Sequence, residues 1–125
     1  MLVLIVEPDG ARAARWASHI EALGARTARA ATRAAAIAAL REHDVALVVL
    51  DLGLAGDGAF AVADFASYAR PDARVLFVSS SDMLTDGSVF RYASNACGFV
   101  GADSPPADIA ALAIHHAGRA RGGDA

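Results

Sequence analysis

The fold of this chain is decided by one stretch of seven residues, Val45-Ala46-Leu47-Val48-Val49-Leu50-Asp51. The run is apolar, is rich in β-branched residues and ends in a carboxylate. This pattern predicts a buried strand whose last residue emerges into a crevice at the end of the strand. The chain opens in the same way, because Leu2–Val6 leads directly into Glu7-Pro8-Asp9. In an open parallel sheet, functional groups gather beyond the carboxyl ends of the strands. We therefore expect Glu7, Asp9 and Asp51 to form an acidic pocket centred on Asp51.

Short apolar segments and alanine-rich segments alternate along the whole chain. Their periodicities predict strands at about 2–6, 25–28, 45–50, 75–78 and 98–101, and helices at about 11–23, 33–42, 59–68, 87–95 and 106–119. Strands that alternate with helices in this way imply an α/β domain with a parallel sheet and right-handed crossovers. We expect one domain over residues 1–120 and a disordered tail at 121–125.

The predicted helices have recognisable ends and apolar faces. Asp9 and Thr32 are placed to cap the first two helices, because their side-chain oxygens can accept hydrogen bonds from unpaired backbone N–H groups. Gly24 is placed to end the first helix. The residues expected to face the core are Ala13, Trp16, Ala17, Ile20 and Leu23 in the first helix, Ala36, Ile37 and Leu40 in the second, and Ile109, Leu112 and Ala113 in the last.

Composition excludes several classes of protein. The net charge of -3 argues against a broad nucleic-acid-binding surface. All 11 cationic residues are arginine, so no lysine can serve in any site. The single cysteine, Cys97, rules out an internal disulfide, fits a reducing compartment and is expected to be a small buried residue. The apolar start is too short for a membrane span, and we expect a cytoplasmic location without membrane attachment.

Landmarks spread over the whole chain resemble those of the receiver domain of bacterial two-component response regulators. They are the acids after the first strand (Glu7-Pro8-Asp9), the aspartate that ends the third strand (Asp51), the hydroxyl that ends the fourth strand (Ser79), and the segment Ala96-Cys97-Gly98-Phe99-Val100. The resemblance implies a flavodoxin-like, doubly wound sheet with the strand order 2-1-3-4-5.

The resemblance also implies a role for each matching residue. Asp51 matches the aspartate that accepts a phosphoryl group from a histidine kinase, and Ser79 matches the hydroxyl that contacts this group. Phe99 matches an aromatic residue that switches rotamer, although packing in the core is the simpler interpretation of Phe99. For Mg²⁺, the remaining ligand candidates are Glu7, Asp51 and the Gly53 carbonyl, and we expect weak binding.

Two departures from the family pattern affect the same pocket. Pro8 stands where the family has its second metal-binding acid, and Ala102 stands where it has its lysine. Phosphoryl transfer is catalysed mainly by positioning and by stabilisation of charge. Loss of one preorganised stabilising group commonly lowers a rate by on the order of 10²–10³. We therefore expect Asp51 to be phosphorylated slowly or not at all.

Three hypotheses for function follow. The first is a divergent receiver that is not an enzyme and acts mainly through protein–protein interaction, with a histidine kinase, a phosphotransferase or an output protein as partner, or as a homodimer. The second is a phosphorylatable receiver with Asp51 as acceptor and Mg²⁺ as cofactor. The third is a flavodoxin-like binder of a small molecule such as a nucleotide or flavin, although the chain lacks an evident phosphate-binding loop.

An interaction surface is expected around the predicted helix at 87–95, the last strand and the last helix. On the helical pattern, Phe90, Arg91 and Asn95 lie off the apolar stripe of the helix at 87–95. An exposed aromatic residue beside an arginine is a plausible binding anchor. We predict that these three residues contact a partner.

Overall fold

A computed structural model describes residues 1–79 and 94–122 of the chain. Their strands form one parallel sheet in the order β2-β1-β3-β4-β5. The strands are β1 (Leu2–Val6), β2 (Arg26–Ala30), β3 (Val45–Asp51), β4 (Arg74–Ser79) and β5 (Ala96–Gly101). The predicted α/β class, flavodoxin-like topology and strand order are confirmed.

The central strand is the stretch from which the sequence analysis began. All residues of β3 are buried, and its neighbours are β1 on one side and β4 on the other. A parallel strand with helices over both faces has no solvent-exposed face, which is why an unbroken apolar run forms it. By contrast, β2 lies at the sheet edge, and of its residues only Ala30 is buried.

Four helices lie within the described residues. They are α1 (Gly10–Ala22), α2 (Arg33–Glu42), α3 (Gly58–Ala69) and α4 (Pro106–Gly122). The predicted caps are present: the Asp9 carboxylate accepts from the backbone N–H groups of Ala11 and Arg12, at 3.0 and 3.2 Å, and the Thr32 hydroxyl accepts from Ala35 at 3.1 Å. Gly24, with φ of 99°, follows α1 in a conformation that favours glycine.

The helices cover the two faces of the sheet in pairs. Alternate residues of each strand point to opposite faces, so Val3 and Ile5 pack with Trp16 of α1 and Ile109 of α4. The other face is packed against α2 and α3, and its members include Leu4, Val6, Leu40, Val62 and Phe77. Each face therefore has its own core, with the sheet between them.

Some boundaries and faces differ from the sequence predictions. Leu23, predicted to face the core, is the C-cap of α1 and is 53% exposed, and Leu112 of α4 is 39% exposed. Periodicity finds the apolar stripe, but the neighbouring elements decide how much of the stripe is covered. The last helix extends to Gly122, three residues beyond its predicted end at Arg119. The final residues, 123–125, lie outside the described part of the chain.

Most of the predicted helix at 87–95 lies outside the described residues, and with it Phe90 and Arg91. Asn95 is described and lies in a turn that leads into β5, not in a helix. Its side-chain Nδ2 donates to the Ala63 carbonyl of α3 at 3.0 Å, and its backbone carbonyl accepts from Val75. The predicted contact of these residues with a partner stays a prediction.

Candidate functional site

The acidic pocket forms where the strands of the sheet end. Glu7 follows β1, Asp51 ends β3 and Ser79 ends β4, and because these three strands are neighbours their last residues lie side by side. All three side chains are buried, with Asp51 6% and Ser79 7% exposed. The sheet thus brings together the predicted phosphoacceptor, the first predicted metal ligand and the predicted phosphate-contacting hydroxyl.

Asp51 is held by its own loop. One carboxylate oxygen, Oδ1, accepts a hydrogen bond from the backbone N–H of Gly53 at 2.8 Å, and the Asp51 carbonyl accepts from Leu54 at 3.1 Å. Position 53 does not accept a larger residue freely, because a Cβ added to Gly53 would lie 3.2 Å from Asp51 Oδ1. The turn after β3 therefore fixes the direction of the Asp51 carboxylate.

The side chains of Glu7 and Asp51 interact, and this interaction affects the pKa of Glu7. Burial of Glu7 is the largest cause of an increase in its pKa from 4.5 to about 7, and the hydrogen bond and negative charge of Asp51 raise it further. The Asp9 backbone N–H and the Arg12 guanidinium oppose this increase. Near neutral pH, a large fraction of Glu7 is therefore protonated and can donate a hydrogen bond to Asp51.

Arg12 is a member of the pocket that the sequence analysis missed. Its Nη1 donates to Glu7 Oε1 at 3.3 Å, and its side chain is about one-third exposed. Arg12 lies in the first turn of α1, so the turn after β1 folds it back over Glu7. Nothing in the spacing of Glu7 and Arg12 predicts this contact, because it depends on the direction in which α1 leaves the sheet.

Pro8 and Ala102, the two positions singled out in the sequence, line two separate cavities. Pro8 is exposed and lines a cavity of about 450 Å³ together with Gly53, Leu54 and Ala55. Ala102 is buried, its backbone N–H donates to the Ser79 carbonyl at 2.8 Å, and it lines a separate cavity with Arg12 and Trp16. Neither side chain offers an oxygen ligand or a charge.

The remaining candidates are placed as follows. Phe99 is half-buried, pairs with Phe77 in the sheet register and packs against the core between the sheet and α2 and α3. Asp9 caps α1, and its Oδ1 accepts from the backbone N–H groups of Ala11 and Arg12. Within residues 1–79 and 94–122, no group of three or more histidine, cysteine or acidic residues could hold a metal ion. In that same part of the chain, no helix is long and apolar enough to cross a membrane.

Comparison with known proteins gives matches in structure only. No family model and no curated protein matches the sequence. A response regulator receiver domain protein (CheY-like) from Methanospirillum hungatei JF-1 is 21% identical, with a TM-score of 0.83 over 95% of this chain and 94% of that one.

Two further solved structures are similar over almost the whole chain. The N-terminal domain of a response regulator/sensory box/GGDEF 3-domain protein from Carboxydothermus hydrogenoformans is 19% identical, with a TM-score of 0.83 over 99% of this chain and 98% of that one. A response regulator protein from Burkholderia pseudomallei with a phosphorylated aspartic acid is 18% identical, with a TM-score of 0.78 over 99% of this chain and 72% of that one. The chain therefore has the fold of response regulator receiver domains.

Proposed function

We propose that this chain is a receiver-like signalling domain that acts mainly through protein–protein contacts, with phosphorylation of Asp51 slow or absent. One observation carries the proposal: Asp51 keeps its place beside Glu7 and Ser79, while Pro8 and Ala102 supply neither charge nor ligand. Phosphoryl transfer depends on charge stabilisation around the acceptor, so a pocket that offers Asp51, Glu7 and Ser79, with no further acid or cation from positions 8 and 102, is poorly equipped for it.

The donor set suits Mg²⁺ only weakly. Mg²⁺ requires near-ideal octahedral geometry and is usually held by one or two carboxylates that stay ionised. Glu7 and Asp51 are two carboxylates, and the Gly53 carbonyl is a third candidate. However, Glu7 has a raised pKa and one of its oxygens accepts from Arg12, so both a proton and a guanidinium compete with a metal there. We propose weak Mg²⁺ binding at this site.

The test is a measurement of phosphorylation by intact mass. The chain is incubated with Mg²⁺ and acetyl phosphate, and an Asp51→Asn variant provides the blank. We expect little or no addition of a phosphoryl group to the wild type over times that suffice for a receiver domain with a complete pocket, run in parallel. Rapid, Asp51-dependent labelling of the wild type would contradict the proposal.

A phosphorylatable receiver of low efficiency is the second candidate, and the position of Arg12 favours it. Arg12 contacts Glu7, and Glu7 interacts with Asp51. A permanent positive charge therefore lies beside the side chain that neighbours the acceptor. An arginine that could turn toward a phosphoryl group would replace part of the missing lysine charge. If the wild type is labelled slowly, the Arg12→Ala variant should be labelled more slowly still.

The partners that we propose are signalling proteins, namely a histidine kinase, a phosphotransferase or an output protein, with a homodimer as the alternative. We propose no enzymatic activity for the chain. One of the similar structures is the N-terminal domain of a protein with three domains, which supports a role in passing a signal to other domains. The surface we propose for these contacts includes β5 and α4, where Leu112 is exposed.

A further inference from the structure

A second charged site lies at the amino ends of the strands, opposite to the carboxyl ends where Asp51 lies. A cavity of about 310 Å³ is lined by Arg74, Cys97, His116 and Arg119, and we call this the basic cavity. Arg74 begins β4 and Cys97 is the second residue of β5, whereas Ser79 ends β4 at the acidic pocket. At about 3.3 Å per residue, the length of β4 separates the two sites by roughly 16 Å.

The guanidinium of Arg74 is held in place by the backbone. Its Nε donates to the Asn95 carbonyl and its Nη2 to the Ala96 carbonyl, both at 3.3 Å. A guanidinium carries five N–H donors in a rigid plane, so these two bonds orient it without using all of its donors. The cavity therefore has one cationic wall whose orientation is fixed before any ligand arrives.

Cys97 lines the cavity but supplies no negative charge. Its Sγ donates to the Val75 carbonyl at 3.4 Å, and burial raises the pKa of the thiol to about 11 even though Arg74 lowers it. The thiol thus stays protonated near neutral pH. Cys97 was expected to be a small buried residue. It is half-buried, packs against one of the two cores and lines this cavity.

The positive charges in the basic cavity are not neutralised by any of its described lining residues. Burial lowers the pKa of His116, and the charges of His115, Arg74 and Arg119 lower it further. The groups that face His116 within the described residues are thus Arg74 from β4, Cys97 from β5, and His115 and Arg119 from α4. Because the charges of Arg74 and Arg119 add to burial in disfavouring the charged form of His116, an anion bound in the cavity would oppose their effect.

We propose that the basic cavity binds a small phosphate-bearing anion, a site independent of any phosphorylation at Asp51. The donors come from β4 and α4 and so approach from different directions, which suits a tetrahedral oxyanion. Each arginine also has a structural role of its own. Arg74 donates to two backbone carbonyls, and Arg119 lies near the negative end of α4. These roles do not explain why both converge with His116 on one cavity.

The test measures anion binding to the full chain by NMR of the His116 ring. Inorganic phosphate and sulfate are the probes, and malonate and chloride at the same ionic strength are the comparison anions. We expect saturable shifts of the His116 resonances with phosphate and sulfate and not with malonate or chloride. Because sulfate stays a dianion, its binding should strengthen as the pH falls and His116 gains a proton.

The affinity for phosphate is compared in two variants that each lose one positive charge, one inside the basic cavity and one far from it. Arg119→Ala should weaken phosphate binding about tenfold, the loss of one charge-assisted contact. Arg29→Ala removes the same charge from the exposed edge strand β2, at the far side of the sheet, and should leave the affinity unchanged. Arg119 is exposed, so its variant should keep the wild-type melting temperature.

Three outcomes would overturn the proposal. They are His116 shifts that are no larger with phosphate than with chloride, equal losses in the Arg119→Ala and Arg29→Ala variants, and equal affinity for phosphate and malonate. The last would make the cavity a site for anions in general, without the preference for phosphate that we propose. Labelling of Asp51 takes no part in the test, so its result stands whether or not Asp51 is phosphorylated.

Discussion

The acidic pocket and the basic cavity lie at the two ends of the strands and carry charges of opposite sign. At both ends, burial favours the neutral form of one ionisable group. At the acidic pocket, burial raises the pKa of Glu7 to about 7, and at the basic cavity, burial lowers the pKa of His116. Both changes favour the neutral form of the group, since a buried charge beside charges of the same sign is unfavourable. A bound cation would therefore favour ionised Glu7 at the acidic pocket, and a bound anion would favour protonated His116 at the basic cavity.

The difference between the two ends lies in how they are built. The acidic pocket consists of strand-end residues that are almost fully buried, and a polar residue at such a position is visible in the sequence. The basic cavity consists of two exposed side chains, Arg74 and Arg119, and two half-buried ones, Cys97 and His116, from two strands and a helix. At the carboxyl ends of parallel strands, the topology of the sheet alone brings functional residues together. At the amino ends, a site forms only where side chains from separate elements happen to converge.

The largest effect is expected from restoring the acidic pocket. Pro8→Asp places a carboxylate beside Gly53, and Ala102→Lys returns a cation after β5. The double variant should be labelled by acetyl phosphate on the order of 10²–10³ times faster than the wild type, measured by intact mass. Ala102→Lys alone should gain less than Pro8→Asp alone, because Arg12 lines the same cavity and repels a second cation.

The blank for that experiment is the double variant with Asp51→Asn. Equal labelling rates in the wild type and the double variant would show that the pocket is already competent. That result would favour the phosphorylatable receiver over the receiver-like domain in which phosphorylation of Asp51 is slow or absent.

The next largest effect concerns stability at the acidic end. The raised pKa means that folded Glu7 holds a proton that the unfolded chain releases, so its stabilisation is complete below about pH 4.5 and is lost as the pH rises through about 7. Glu7→Gln keeps the shape of the protonated form. It should raise the free energy of unfolding by up to about 3 kcal/mol at pH 8 and by little at pH 4.5.

Urea unfolding at the two pH values measures the Glu7→Gln effect. Glu42→Gln makes the same substitution at the exposed end of α2 and is the matched control. A gain at pH 8 in both variants, or in neither, would mean that the buried charge of Glu7 is not the cause.

A moderate effect is expected at the basic end. Asn95→Ala removes the hydrogen bond from Nδ2 to the Ala63 carbonyl, which ties the start of β5 to α3. The free energy of unfolding should fall by about 1 kcal/mol, with Ser94→Ala, an exposed neighbour in the same turn, as the control. A loss of several kcal/mol would show that Asn95 supports the whole basic end, and no loss would show that water replaces the bond.

The smallest effect should come from His116, and its pH dependence should be the reverse of that of Glu7. Because the folded pKa is lowered, the stability associated with neutral His116 is present above pH 6.5 and is lost as the pH falls. His116→Gln should therefore be more stable than the wild type at pH 5.5 and equal to it at pH 8, measured by thermal unfolding. His43→Gln, at the C-cap of α2, provides the control.

The sequence determined the fold and the centre of the acidic pocket. The apolar run of β3 requires burial on both faces, and the helices that alternate with the strands supply the cover. The capping roles of Asp9 and Thr32 were also readable, because they depend only on residues two or three positions away. Such local rules act before any tertiary contact is known.

Tertiary structure alone decided which charges meet. The sequence placed Glu7 and Asp51 at strand ends, but only the packing set the burial that raises the pKa of Glu7 and brought Arg12 into contact with it. The basic cavity joins positions 74, 97, 116 and 119, which no local pattern connects. Electrostatic interactions depend on distance and on burial in three dimensions, and neither quantity is encoded in the spacing of residues along the chain.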